Sequence, residues 1–153
     1  MFILFTDIQN VRSLNVNDTE IVILTSTAEQ LKTNICLAVN NLTIDGVVIP
    51  KSMIFYKEYL DSFDEGMVDF IVGHEIGHIV NNHTLTALKM FTNETEADAY
   101  SVENTNTSPS QAIEYINTMF SISIGTMDKW VFRLITRIER FIRVTSLKKL
   151  TTI

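Results

Sequence analysis

The stretch from Ser62 to His83, SFDEGMVDFIVGHEIGHIVNNH, constrains this chain more than any other. It reads as one apolar helix carrying His74, Glu75 and His78. Four residues on an α-helix make one turn plus about 40°, so the two imidazoles leave the same face and can grip one metal ion. Glu75 sits roughly 100° further round, off the ligand face but within reach of a water held at the metal. H-E-x-x-H therefore supplies two ligands and a base, and a third ligand must come from elsewhere.

The chain around that helix has 153 residues, enough for one domain, and we expect a single domain over 1–153. Residues 1–60 read as a sheet-rich part with one helix, 61–102 as the helices of the metal site, and 103–153 as C-terminal helices. No segment reaches the roughly 18 uncharged residues of a membrane span. The start, MFILFTDIQN, lacks a basic region and a small-residue cleavage site and reads as a strand, which places the protein in a cytoplasm. The lone Cys36 allows no internal disulfide, in keeping with a reducing compartment. Its simplest role is a small buried residue in a helix.

Charge is unevenly spread. Residues 1–128 carry five Lys/Arg against seventeen Asp/Glu, whereas 129–153 carry seven against one. An acidic body argues against nucleic acid as a partner, because phosphate neutralisation needs a basic surface.

In chain order, Phe2 to Ile8 and Glu20 to Thr25 read as strands, with a turn marked by Asn10, Asn15, Asn17 and Asp18 between them. Ser26 and Glu29 form a capping box for a helix over about 27–40. Thr43 to Ile49 reads as a strand ended by Pro50, and Met53 to Lys57 as a further strand. Ser62 and Glu65 form a second capping box, so the metal helix starts near Phe63. Gly73 and Gly77 share one face and imply close packing of another backbone. Asn81 and Asn82 are stop signals. After Thr84 to Phe91, Thr92 or Asn93 caps the next helix. Ser108 and Pro109 open another, and a last helix runs roughly over 127–147. Its apolar stripe, Met127, Val131, Leu134, Ile138 and Phe141, is expected to pack on the core, with Arg133, Arg137 and Arg140 on another face. Docking of this basic amphipathic helix to an anionic membrane or partner is the competing reading.

His83 follows His74 by nine residues, about 180° around a continuing helix, and so faces away from the metal unless the helix has already ended. Glu94 and Asp98, spaced i and i+4, share a face: one can bind the metal while the other accepts the N–H of a ligating imidazole. Glu96 points elsewhere.

HEIGHIVNNH followed by NETEAD resembles the gluzincin metallopeptidases, and most the HtpX and CAAX-prenyl-protease family, whose signature is HExxH, often with a further His five residues on, and then E-x-x-A-D or E-x-E-A-D. The likeness spans about Gly46 to Val102. It implies an α+β, small zincin-like fold, with a short mixed or antiparallel sheet packed on the HExxH helix and a helical C-terminal half. It further implies Zn2+ held by His74, His78 and Glu94, Glu75 as catalytic base, and Asp98 as partner of a ligating histidine. The activity implied is metalloendopeptidase hydrolysis of a peptide or protein substrate. By the same resemblance, Met53, Ile54, Phe55 and Tyr56 form the cleft-edge strand on which an extended peptide lies. Two alternatives stand beside it. An ImmA/IrrE-like regulatory protease acting on a repressor has a similar helix but usually continues E-x-x-A-N. A non-catalytic zinc-stabilised module would use Cys36 to close the coordination sphere, although structural zinc sites are normally thiolate-rich.

Overall fold

A computed structural model describes residues 5–16, 18–29, 31–81, 83 and 90–151. Its first half is built on β1 (Gln9–Val16), β2 (Thr19–Ser26), α1 (Leu31–Asn34), β3 (Cys36–Ile44), β4 (Val47–Tyr56) and α2 (Lys57–Ser62). The strands form one mixed sheet in the order β1-β2-β4-β3. β1 runs antiparallel to β2, β2 parallel to β4, and β3 antiparallel to β4. Val22, Leu24, Ala28, Leu31, Ile54 and Tyr56 gather into one apolar core.

Several expectations are corrected here. The strand expected at Phe2 to Ile8 begins only at Gln9; residues 2–4 lie outside those described, and 5–8 are not strand. The Asn-rich segment expected to turn is instead β1, an exposed edge strand whose pairing with β2 overrides the weak strand propensity of Asn. Only Asp18, at φ 62°, keeps the turn among the described residues. The helix expected over 27–40 shrinks to the single turn α1, stopped by Ile35 at φ 67°. Ser26 does not cap it: its hydroxyl donates to the Thr6 carbonyl at 2.7 Å and accepts from Thr6 and Ala28 N–H groups. Cys36 therefore opens a strand, not a helix interior. Apolar residues at short spacing fit either period, and the ladder to β4 decides for strand.

Asp45 and Gly46, both with positive φ (49° and 79°), form a two-residue hairpin loop between Ile44 and Val47. β4 continues through Pro50, because β2 pairs only with Ser52–Tyr56, so Pro50 lies where β4 has β3 alone beside it. The expected cleft-edge strand is also corrected. Met53, Ile54, Phe55 and Tyr56 are buried in the middle of the sheet, bonded to β2 on one side, and Met53 to Phe55 are paired with β3 on the other. A strand flanked on both sides has no free ladder to offer a peptide.

The second half holds α3 (Glu65–Val80), α4 (Met90–Asn104), α5 (Pro109–Gly125) and α6 (Trp130–Leu150). The chain thus divides into two compact units, Met1–Phe63 and Asp64–Ile153, and its class is α+β. α3 is capped by Asp64, whose carboxylate accepts from Met67 N–H at 2.8 Å; Ser62 belongs to α2 and donates to the Tyr59 carbonyl. Its C-terminus falls at Asn81, as expected, and the Asn81 amide donates to the Gly77 carbonyl. Thr92 and Asn93 lie inside α4, which already runs at Met90. α5 opens with the expected Ser108 cap and Pro109, closed reciprocally by Gln111. Phe70, Ala112, Ile116, Phe120 and Leu147 form the core of this unit.

α6 departs most from expectation. Val131, Leu134, Ile138 and Phe141 are exposed, as is Trp130, so the stripe does not pack on the core. The half-buried line along this part of the helix is Arg133, Thr136 and Glu139, and the fully buried residues, further on, are Arg143 and Leu147. Among the described residues no helix is long and apolar enough to cross a membrane.

Candidate metal centre

Three side chains of the second unit converge. The Nε2 atoms of His74 and His78, one turn apart on α3, stand 3.1 Å from each other. From α4, Glu94 sets Oε2 at 2.9 Å from His74 Nε2 and Oε1 at 3.3 Å from His78 Nε2. A tetrahedral zinc ion with bonds of about 2.0–2.1 Å has ligand–ligand edges of about 3.3 Å. The observed separations sit close to one face of such a tetrahedron, and the donor set of two imidazoles and a carboxylate leaves a fourth position open. This is the group among the described residues able to hold a metal ion, and it contains no thiolate.

The helices can come this close because of the two glycines. A Cβ built on Gly77 would meet the Ala97 Cα at 3.0 Å and the Ala97 carbonyl oxygen at 3.1 Å; one on Gly73 would meet Ser101 Oγ at 2.6 Å. The expectation that another backbone packs against this face is met by α4.

Behind the two histidines, Asp98 accepts a hydrogen bond from His74 Nδ1–H at 2.8 Å, which turns Nε2 toward Glu94 and His78. Asp98 is fully buried, and its charge is balanced by Arg143. The guanidinium donates from Nε to Oδ2 at 2.8 Å and from Nη2 to Oδ1 at 2.7 Å. Arg143 Nη1 also lies 3.6 Å from Glu94 Oε2, and the guanidinium stands over the Phe120 ring at 5.3 Å. Arg143 had no place in the sequence reading. The signal was an arginine four residues before Leu147, in line with the apolar face, but nothing local told it apart from its neighbours in a basic helix.

The charges of the centre are strongly coupled. Burial and Arg143 oppose a charged His74, yet the hydrogen bonds to Asp98 and Glu94 outweigh them and raise its pKa to about 9. Burial pushes Glu94 up, but the hydrogen bonds from His74 and His78 and the Arg143 charge hold it well below the carboxylate range. Asp98, likewise opposed by burial, is held low chiefly by Arg143. Burial raises Glu139, the half-buried acid of α6, with Arg143 opposing.

Glu75 is half-buried on α3 next to the ligand face. His83 lies beyond the end of α3, because the helix stops at Val80; its Nδ1 is 2.9 Å from Nδ1 of His78, on the far side of that ring from the ligand cluster. Glu96 accepts from His83 Nε2–H at 2.6 Å. Met53, Ile54, Phe55 and Tyr56 belong to the first unit, whereas the three-ligand cluster lies wholly in the second.

Residues 20–93 match the model of peptidase family M48. Over that stretch the chain is similar to M48 peptidases, and the stretch includes His74, Glu75 and His78 while ending one residue before Glu94. No curated protein and no solved structure matches the chain. The matched residues include His74 and His78 but not Glu94, so the convergence of its carboxylate on the two histidines is an observation beyond the M48 match.

Proposed function

We propose that this chain is a zinc-dependent metalloendopeptidase, with His74, His78 and Glu94 as ligands and Glu75 as general base. The observation that carries the reading is the near-tetrahedral spacing of two imidazole nitrogens and a carboxylate, with a glutamate directly following the first histidine. Bound zinc would lower the pKa of a water toward about 7 and polarise the scissile carbonyl. Glu75 takes the proton of the attacking water and delivers it to the leaving amine. Asp98 holds His74 with Nε2 toward the ligand cluster, and Arg143 keeps Asp98 ionised in its buried setting. Glu94 needs no deprotonation before it binds a cation, since its neighbours already favour the carboxylate.

The substrate class is a peptide or protein, and the E-T-E-A-D run of α4, which lies beyond the matched residues, resembles the HtpX and CAAX-prenyl-protease signature. The M48 match favours this reading over a repressor-controlling peptidase. The test is metal analysis of the purified protein together with cleavage of a quenched-fluorescence peptide library. Stoichiometric zinc and chelator-sensitive cleavage are expected; a protein that binds no divalent metal would overturn the reading.

A further inference from the structure

His83 and Glu96 take no part in the chemistry described so far, yet they form a continuous hydrogen-bonded line ending on a metal ligand. His83 Nδ1 lies 2.9 Å from His78 Nδ1, and His83 Nε2 lies 2.6 Å from Glu96 Oε2. The His83 side chain is 8% exposed and its ring meets that of His78 edge-on at 5.1 Å. The backbone fixes its place: His83 N–H donates to the His78 carbonyl at 3.0 Å, just after Asn81 ends α3.

Two ring nitrogens 2.9 Å apart require one to donate and the other to accept. His78 turns Nε2 toward Glu94 and His74, so ligation through Nε2 demands a bare nitrogen there and a proton on Nδ1. His78 Nδ1–H then donates to His83 Nδ1, which must be bare. The His83 proton therefore sits on Nε2, where it meets the carboxylate of Glu96. With Nε2 of His78 committed to a metal, this assignment gives the Nδ1–Nδ1 contact and the His83–Glu96 contact one donor and one acceptor each, whereas the reverse would place the His78 proton on the nitrogen facing His74 and Glu94.

We propose that His83 and Glu96 are a positioning pair for His78: they fix its tautomer and ring orientation so that Nε2 faces the metal. The proposal rests on the metal-centre reading above. It makes the two ligand histidines alike in principle and different in construction. His74 is held through Nδ1 by a buried carboxylate clamped by Arg143, and His78 through Nδ1 by a second imidazole that leans on the half-exposed Glu96. A residue that sequence spacing removed from the ligand set thereby gains a role behind it.

The test is zinc affinity by competition with a chromophoric chelator, with the visible absorption of the cobalt-substituted protein as a reporter of ligand geometry. His83→Ala is expected to weaken zinc binding about ten- to hundredfold and to alter the cobalt spectrum. His83→Gln can accept from Nδ1–H with its amide oxygen and donate to Glu96 with its amide nitrogen, and is expected to recover most of the affinity. Glu96→Gln, still an acceptor, should stay near the parent protein, and Glu96→Ala should fall between. Equal affinity in His83→Ala and the parent, or a His83→Gln as weak as His83→Ala, would overturn the proposal while leaving the metal centre standing. A parent protein that binds neither zinc nor cobalt would instead overturn the metal centre and this pair with it. Nitrogen-15 spectra of the zinc-loaded parent provide a measurement that needs no variant: a proton on Nδ1 of His78 and on Nε2 of His83 is expected, and the opposite tautomers would refute the assignment.

Discussion

Arg143 grips Asp98 with two charge-assisted hydrogen bonds, of 2.7 and 2.8 Å, across 45 residues of chain and with both side chains buried. The pair ties α6 to α4, and through Asp98 to His74 of α3. Removing one partner of a buried pair strands the other. Arg143→Met is therefore expected to destabilise the protein by about 3–5 kcal/mol, measured by urea unfolding. A loss under about 1 kcal/mol would mean that Asp98 is balanced by some other group.

Glu75→Gln keeps the size of the side chain and removes its basicity. Peptide cleavage should fall to background while zinc content and affinity stay at parental levels, as measured by metal analysis and the peptide library. Retained cleavage would remove Glu75 from the role of base.

The raised pKa of His74 gives the metal-free protein a pH signature. Its folded value of about 9 exceeds the ordinary 6.5, so the charged imidazolium stabilises the fold fully below about pH 6.5, and that stabilisation is lost as pH rises through about 9. The chelated protein should therefore melt at a lower temperature at pH 9.5 than at pH 7. Metal must displace this proton, so zinc affinity should rise over the same interval. Uptake at pH 7 should release about one proton from His74, detectable by calorimetry in buffers of different ionisation enthalpy. A flat melting profile in the chelated protein would contradict the proton on His74.

Gly77→Ala sets two effects against each other. Alanine is worth about 1 kcal/mol more than glycine in a helix interior. The added Cβ, however, would press on the Ala97 backbone at 3.0 and 3.1 Å, which cannot move aside as a flexible side chain can. Overpacking costs of about 1–3 kcal/mol should prevail, with net loss of stability and weaker zinc binding. Unfolding curves and chelator competition check both.

What the sequence made legible was local. Two histidines four apart, Ser108 before Pro109, and Asn81 after an apolar run each encode their geometry within a turn of helix, and each appears where expected. Asp45-Gly46 is an equally local sign of a hairpin, and the strand it closes, β3, takes the place of the second half of the helix expected over 27–40. Other features depend on distant partners. Strand order puts Met53 to Tyr56 between two neighbours, and no spacing within those residues could reveal it. Arg143 is a site residue because of Asp98, and without that partner it is one more arginine on a basic helix. The angle that turns His83 away from the metal holds only for an unbroken helix, and α3 ends three residues before it.

The contact at Gly73 and Gly77 has a consequence for how such a centre can change over generations. Apolar side chains between helices can be exchanged in compensating pairs, and the gap they span drifts with their volume. At Gly77 the gap is set by the Ala97 backbone and at Gly73 by the short side chains of Ser101 and Thr105, so the spacing of the His-bearing and Glu-bearing helices does not depend on any large side chain between them. Two residues that carry no functional group are thereby the least replaceable neighbours of those that do.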